Sequence, residues 1–292
     1  MPKSTLIIPT FNRQEITLET LDYLNNQTVQ DFEVIVVDQT KSNFTDLDNY
    51  SFENEITNYK NININKIGLP NARNVGADHA TSEILIYIDD DCIPDNKLIE
   101  SYLHIFNEQE SKIWCIGGRV IEKGSNIFKQ SDKIIGGWIT WYGKTLKNFD
   151  SNNGGICQWA PGGNFAIKTE KFKEVGGFDE NYLGNAMLED GDFGFKIMSH
   201  GGSVFYSPKP IMEHLRAPAG GTRKESASKG MFYRAHNTVY FLRKHKMRLR
   251  IFPALWYLLA VAIKDLIQGK HGIIAIFWTK IGFIKGLFTK TK

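Results

Sequence analysis

The sequence predicts an α/β fold, a Rossmann-like mixed sheet flanked by helices and followed by a helical extension. Three observations predict it. Short runs rich in β-branched residues, at 5–9 (TLIIP), 32–38 (FEVIVVD) and 84–88 (ILIYI), alternate with stretches of helical spacing. Carboxylates close these runs: Asp38 ends the second, and Asp89-Asp90-Asp91 follows the third. Beyond residue 215 the composition changes, and acidic residues almost vanish.

The first strand leads into a helix over 15–26, with Ile16, Leu18, Leu21 and Leu24 near helical spacing. Strand, helix, strand in that order implies parallel pairing. A third strand is expected at 63–67, a helix at 71–80, the fourth strand at 84–88, a helix at 96–107 and a return to the sheet at 113–120. From about 122 onward Gly, Asn and Trp are frequent, which predicts loops around a cleft. Helices are expected at 169–175 and 188–200, and a late strand at 203–206. The chain divides on this reading into 1–120, 121–224 and a basic helical tail at 225–292.

With 42% hydrophobic and 23% charged residues, the 292-residue chain is globular, which excludes disorder, collagen-like repeats and a pure coiled coil. Cys92, Cys115 and Cys157 are too few and scattered for a disulfide scaffold or cysteine zinc site, and fit a reducing compartment. The four-residue apolar run near the N-terminus is too short for a signal peptide, so secretion by that route is not expected. The net charge of +3 divides into −11 for residues 1–215 and +14 for 216–292. Such a tail is expected to meet an anionic partner, nucleic acid or a membrane surface. Its apolar runs at 251–263 and 273–288, accompanied by Trp256, Tyr257 and Trp278, are unlike a solvated phosphate-binding surface. The first is 13 residues long, short of the roughly 20 that span a bilayer. The expectation is a helical tail lying in a membrane interface and no nucleic acid partner; a helical pair packed on the domain, or a dimer contact, is the other reading.

The triplet Asp89-Asp90-Asp91 sits at the carboxyl end of a buried strand, where open α/β sheets bind ligands. Adjacent carboxylates repel unless a cation neutralises them, and hard oxygen ligands select Mg²⁺ or Mn²⁺, shared with substrate phosphates. A solvated acidic turn is the alternative. Three further motifs, PTFNR at 9–13, VVD at 36–38 and GLPNARN at 68–74, also fall at strand-to-helix junctions and converge on the same sheet edge.

With GGN at 162–164, GGFDE at 176–180 and EDGDFG at 189–194, these motifs cover roughly residues 4–215. Here the sequence resembles the family 2 glycosyltransferases, inverting enzymes of the GT-A fold. The resemblance implies that Pro9, Thr10, Asn12, Arg13 and Asp38 hold the nucleoside. A carboxylate at Asp38 can accept the imide N–H of uracil or thymine, which favours UDP- or dTDP-sugars. Arg73 would lie near the donor's base or phosphates, or else pair with a neighbouring carboxylate. Asp89 and Asp90 would belong to the donor site. Asp91, with His214, would bind Mn²⁺ or Mg²⁺. In Glu189-Asp190 the aspartate would be the general base; the alternative is a set of helix N-terminal charges. Arg223, with Arg216 as second choice, would close over the diphosphate. Gly163, Asn164 and Asp179 would serve the acceptor. Trp159 would stack on it, or belong to the core.

The resemblance therefore implies a metal-dependent inverting glycosyltransferase with a nucleotide-sugar donor. The tail adds a glycan or polyprenyl-diphosphate-linked acceptor, on the cytoplasmic face of a bacterial membrane, in surface polysaccharide synthesis. A sugar nucleotidyltransferase would need a Gly-rich first loop of GxGTR type, and PTFNR is not one. A non-catalytic glycan- or nucleotide-binding homologue would lack carboxylates that this chain retains.

Overall fold

The computed structural model describes residues 2–41, 46–53, 58–109, 111–123, 134–217, 221, 227–270 and 272–291. The strands in chain order are β1 (Ser4–Thr10), β2 (Phe32–Asp38), β3 (Asn58–Asn63), β4 (Ile84–Ile88), β5 (Cys92–Pro94), β6 (Ile113–Glu122), β7 (Gly136–Ile139), β8 (Thr145–Asn148), β9 (Gly155–Cys157), β10 (Asn164–Lys168) and β11 (Ser203–His214). The helices are α1 (Gln14–Leu24), α2 (Leu69–His79), α3 (Leu98–Glu108), α4 (Thr169–Glu174), α5 (Glu189–Ser199), α6 (Ala227–Lys244), α7 (Ile251–Ile267) and α8 (Ile274–Phe288).

The main sheet runs β3-β2-β1-β4-β10-β6-β11-β5, with β9 paired to β11. Its first four strands are mutually parallel, as the alternation of strands and helices requires. β10 enters antiparallel between β4 and β6, so the sheet becomes mixed there and continues unbroken past residue 120. β7 and β8 form a separate antiparallel hairpin.

Successive side chains of β1 and β4 point to opposite faces, and both faces are covered. Leu6, Ile8, Ile86 and Ile88 meet Leu21, Leu98 and Tyr102 of α1 and α3. Ile7, Leu85 and Tyr87 meet Ala77, Phe172, Phe193 and Ile197 of α2, α4 and α5. That two-sided burial is why these strands are continuously apolar.

Most expected elements stand within two residues of their positions. The third strand is a correction: it lies at Asn58–Asn63, not 63–67. It is the sheet's edge, half exposed and polar (NYKNIN), so no apolar run marks it. β11 extends eight residues beyond the expected 203–206, through Pro208 and Pro210, where its pairing with β6 is irregular between Tyr206 and Ile211. The cysteines are free and buried.

The tail folds as three packed helices. α8 lies along α6, and its Gly282 and Gly286 meet the α6 backbone: a Cβ at 286 would stand 2.7 Å from the His236 carbonyl oxygen. Arg243 donates to the carbonyls of Gly286 and Thr289, at 2.9 and 2.8 Å, closing the end of α8. α7 buries Ala254, Leu258 and Ala262. The outward sides of both helices carry exposed Phe252, Trp256, Ile263, Ile267, Ile274, Phe277, Ile284 and Phe288, with Leu249 before them 96% exposed. Among the described residues, no helix is long and apolar enough to cross a membrane.

Candidate active site

The site begins at the turn after β4. Asp89, Asp91 and His214 bring one ligand atom each within 4.8 Å of one another. The His214 Nε2 stands 3.2 Å from Asp91 Oδ1 and 3.8 Å from Asp89 Oδ2. The long β11 is what delivers His214 there: its last residues pair with β5, placing His214 opposite Cys92. On its other side His214 is opposite Glu122 at the end of β6, and its Nδ1 lies 3.1 Å from the Glu122 carboxylate. Glu122 thereby turns Nε2 toward the two aspartates.

His214 and the carboxylates of Asp91 and Glu122 also act strongly on one another's protonation. Burial lowers the His214 pKa, but the carboxylates of Asp91 and Glu122 outweigh it and raise the imidazole to about 9. Burial works against the charge on Asp91, yet His214, the Ala217 N–H at 2.8 Å and Arg13 hold it below the ordinary carboxylate range. His214 above all, with Arg216, pulls Glu122 down to about 2. Two carboxylates and one imidazole, converging with charge to spare, suit Mn²⁺ or Mg²⁺. Asp89 is the partly exposed member and opens the set toward solvent.

Asp90 does something else. It is buried, and its oxygens accept from Thr10 Oγ1 at 2.8 Å and Arg13 Nη1 at 2.9 Å. Burial raises its pKa to about 6 against the pull of Arg13. Asp90, expected in the donor site, ties the end of β4 to the β1–α1 junction. Thr10 is buried in the same tie, and Arg13 also lies 3.3 Å from Asp91 Oδ2. Pro9 is buried within β1, while Asn12 is exposed with a left-handed φ of 54°. Asp38 is buried at the end of β2 and accepts from the Thr40 N–H at 2.8 Å and Gln14 Nε2 at 3.3 Å.

A second cluster lies across the sheet edge. Gly163 touches Asp89 so closely that a Cβ there would overlap the carboxylate. Replacing Gly163 by Ala is therefore expected to displace Asp89 and weaken Mn²⁺ binding about 10-fold, read by calorimetric titration. Next to it the Gly162 carbonyl accepts from Arg73 Nη2 at 2.7 Å, and Arg73 Nη1 lies 2.8 Å from Glu189. Arg73 is only 2% exposed and its guanidinium is 5.0 Å from the Phe178 ring centre. The carboxylate that Arg73 pairs with is Glu189.

Glu189, Asp190 and Asp192 fill the first turn of α5, which has no side-chain cap. Glu189, expected among the reacting groups, is buried and paired with Arg73. Asp192 is fully buried, with Lys244 Nζ and His245 Nε2 each at 2.8 Å. Asp190 is partly exposed and accepts from the Gly191 N–H of its own helix, at 2.8 Å. Burial raises the Asp190 carboxyl above its ordinary range; the Gly191 N–H, Arg73 and Lys147 work the other way. Burial, and the charge of Asp190, raise Glu189 as well.

Most of the expected acceptor residues are buried. Trp159 is 4% exposed and packs on Phe149 and Gly137, so no face of its ring is open. Asn164 is completely buried, accepting from Tyr102 Oη at 2.7 Å and donating to the carbonyls of Arg119 and Pro210. Asp179 is buried on Tyr240 Oη and Lys244 Nζ, at 2.7 and 2.6 Å. Arg223 lies outside the described residues; Arg216, exposed, pairs with Glu122. Glu122 and Lys244 were missed from sequence. A carboxylate at a strand end, the signal that marked Asp38, would have found Glu122; nothing local marks Lys244.

The chain matches the family model described as Glycosyl transferase family 2 over residues 5–176. It is 30% identical over 165 residues to the GalNAc(5)-diNAcBac-PP-undecaprenol beta-1,3-glucosyltransferase of Campylobacter jejuni, covering 50% of this chain and 53% of that protein. This chain thus spans about half the length of that curated relative. Among solved structures, the mannosyltransferase PcManGT of Pyrobaculum calidifontis, in complex with GDP-Man and Mn²⁺, superposes with a TM-score of 0.62 at 17% identity, over 99% of this chain and 88% of that one. S. aureus TarS 1–349 in complex with UDP-GlcNAc gives 0.66 at 14% identity, over 97% and 81%. These two share the fold. With the family model matched over more than half its length, and the family's motifs gathered at one sheet edge, this chain belongs to glycosyl transferase family 2.

Proposed function

We propose that this chain is a metal-dependent inverting glycosyltransferase. It moves a sugar from a nucleoside diphosphate donor to a hydroxyl of a lipid-linked glycan, on the cytoplasmic face of a bacterial membrane. The observation that carries the reading is Asp190. Of the three carboxylates in the first turn of α5, two are held by buried cations and Asp190 alone is left for an incoming group. Its raised pKa suits a proton acceptor. As the acceptor oxygen bonds to the anomeric carbon, its proton passes to Asp190 and the bond to the diphosphate breaks, which inverts the anomeric centre. Asp89, Asp91 and His214 would hold Mn²⁺ or Mg²⁺, which offsets the charge of the departing diphosphate. The preference for UDP- or dTDP-sugars rests on a free lone pair of Asp38. Residues 1–120 serve the donor, 121–224 the acceptor and 225–292 the membrane.

A lipid-linked acceptor is supported by the tail and by the undecaprenol-linked name of the Campylobacter relative. The exposed apolar sides of α7 and α8, in a segment of net charge +14, match an anionic bilayer surface. Phe252→Glu combined with Trp256→Glu is expected to lower sedimentation with phosphatidylglycerol vesicles at least about 10-fold, since each buries most of an aromatic side chain in lipid. Surface substitution is the right tool, because removing α7 and α8 would uncover α6. For the reaction, the full chain is incubated with Mn²⁺, UDP-, dTDP- and GDP-sugars, and vesicles with or without polyprenyl-diphosphate-linked saccharide. Nucleoside diphosphate release that depends on the lipid saccharide is expected. Transfer only to soluble glycans would reject the lipid-linked acceptor.

A further inference from the structure

We propose that Lys244 is a positioning residue for Asp190, and that the end of α6 is the joint that sets the angle of the base-bearing helix. The inference rests on the reading of Asp190 as proton acceptor. α5 begins without a side-chain cap, straight after two left-handed residues, Ala186 (φ 54°) and Leu188 (φ 80°). Such backbone persists only where the surroundings over-determine it. Three carboxylates crowd this first turn, and like charges there repel beyond what the helix dipole offsets.

What over-determines the turn is a pair of cations on different sides. Arg73 from α2 holds Glu189. Lys244, the last residue of α6, lies between two buried carboxylates, 2.8 Å from Asp192 Oδ2 and 2.6 Å from Asp179 Oδ2. His245 Nε2 reaches the other Asp192 oxygen at 2.8 Å, and Tyr240 Oη donates to Asp179 at 2.7 Å. Asp192 is two residues from Asp190, so the anchor acts on the turn that aims the base.

The same helix end also faces the other way. Arg243, one residue earlier, holds the last carbonyls of α8. Adjacent side chains of α6 thus bind the end of α8 on one side and α5 on the other. Misplacing a reacting group by about 1 Å costs about 100-fold in rate. Lys244→Met keeps the stem and removes the cation, leaving Asp179 and Asp192 facing each other.

The test uses the full chain and Lys244→Met, Lys244→Arg and His245→Gln. Nucleoside diphosphate release is measured with Mn²⁺ and whichever of UDP-glucose, UDP-GlcNAc and GDP-mannose the wild type turns over. We expect kcat to fall about 10- to 100-fold in Lys244→Met with the donor KM within about two-fold, and Lys244→Arg to recover part of it. Amide exchange should quicken in 189–199 and stay unchanged in 84–91. His245→Gln, which keeps the buried cation and so the fold, should show the same split at smaller amplitude. A lower Tm with unchanged kcat, or exchange quickened equally in both segments, would overturn the proposal and leave Lys244 a general stabiliser. Asp190→Asn runs alongside: full activity in that variant together with loss in Lys244→Met would refute the base assignment while the anchor stands.

Discussion

Asp190→Asn is expected to lower transfer by about 10²- to 10⁴-fold, the usual worth of a positioned general base, while nucleotide binding with Mn²⁺ stays near wild type. The amide keeps the shape of the side chain and its contact with the Gly191 N–H, and it cannot take a proton. The proposed metal ligands stand in the turn after β4 and at the end of β11, apart from α5, so donor affinity is expected to hold. The same variant is expected to be more stable at neutral pH. Burial raises the Asp190 pKa from its ordinary 3.8. A carboxyl raised on folding adds stability below that ordinary value and loses it as pH climbs through the folded value. At pH 7 the ionised group therefore weighs against the fold, and the neutral amide relieves it. A Tm above wild type at pH 7, with the gain shrinking toward pH 4, is expected in thermal melts. Loss of nucleotide binding in this variant would instead move Asp190 into the donor site.

The second large effect belongs to Asp91. Its carboxylate is buried, with Oδ1 toward His214 and Oδ2 bonded to the Ala217 N–H and close to Arg13. Asp91→Asn removes a charge from the ligand set and sets an N–H₂ against donors on one side or the other. Mn²⁺ affinity should fall at least about 100-fold, more than for an outer residue such as Glu122. The readout is thermal stabilisation by UDP, dTDP and GDP, with and without Mn²⁺. Wild type should show a Mn²⁺-dependent shift with one nucleotide class, and Asp91→Asn should show none. His214→Ala should keep a weaker shift, because Asp89 and Asp91 remain. A larger loss from His214→Ala than from Asp91→Asn would exchange their ranks.

The parts of the site that sequence reveals are those with local signatures. A buried apolar strand ending in carboxylates is a feature of five to ten consecutive residues, and it located Asp38, Asp89 and Asp91. The helix start at 189 was visible for the same reason. Division of labour among adjacent carboxylates was not visible, because it is decided by residues far along the chain. Asp90 differs from Asp91 through Thr10 and Arg13, Glu189 from Asp190 through Arg73, and Asp192 through Lys244. Burial of Trp159 and Asn164 likewise depends on Phe149, Tyr102 and Pro210, which no spacing rule connects. The third strand slipped because an edge strand needs no apolar face, and Ile64 drew the reading forward.

The order of strands in the sheet has a consequence for the making of this protein. β5, directly after the aspartates, is held by the last residues of β11, at Met212, Glu213 and His214. About 120 residues separate Asp91 from His214 along the chain. A ribosome adding about 5–20 residues per second needs roughly 6–25 s to cover that distance. Throughout that interval the nascent β1–β4 unit carries three neighbouring carboxylates, with Thr10 on Asp90 and Arg13 near Asp90 and Asp91. The set of Asp89, Asp91 and His214 is complete only when the end of β11 pairs beside Cys92. The proposed cation site is thereby reserved for chains whose β11 has joined the sheet, and a fragment ending before residue 214 lacks the set.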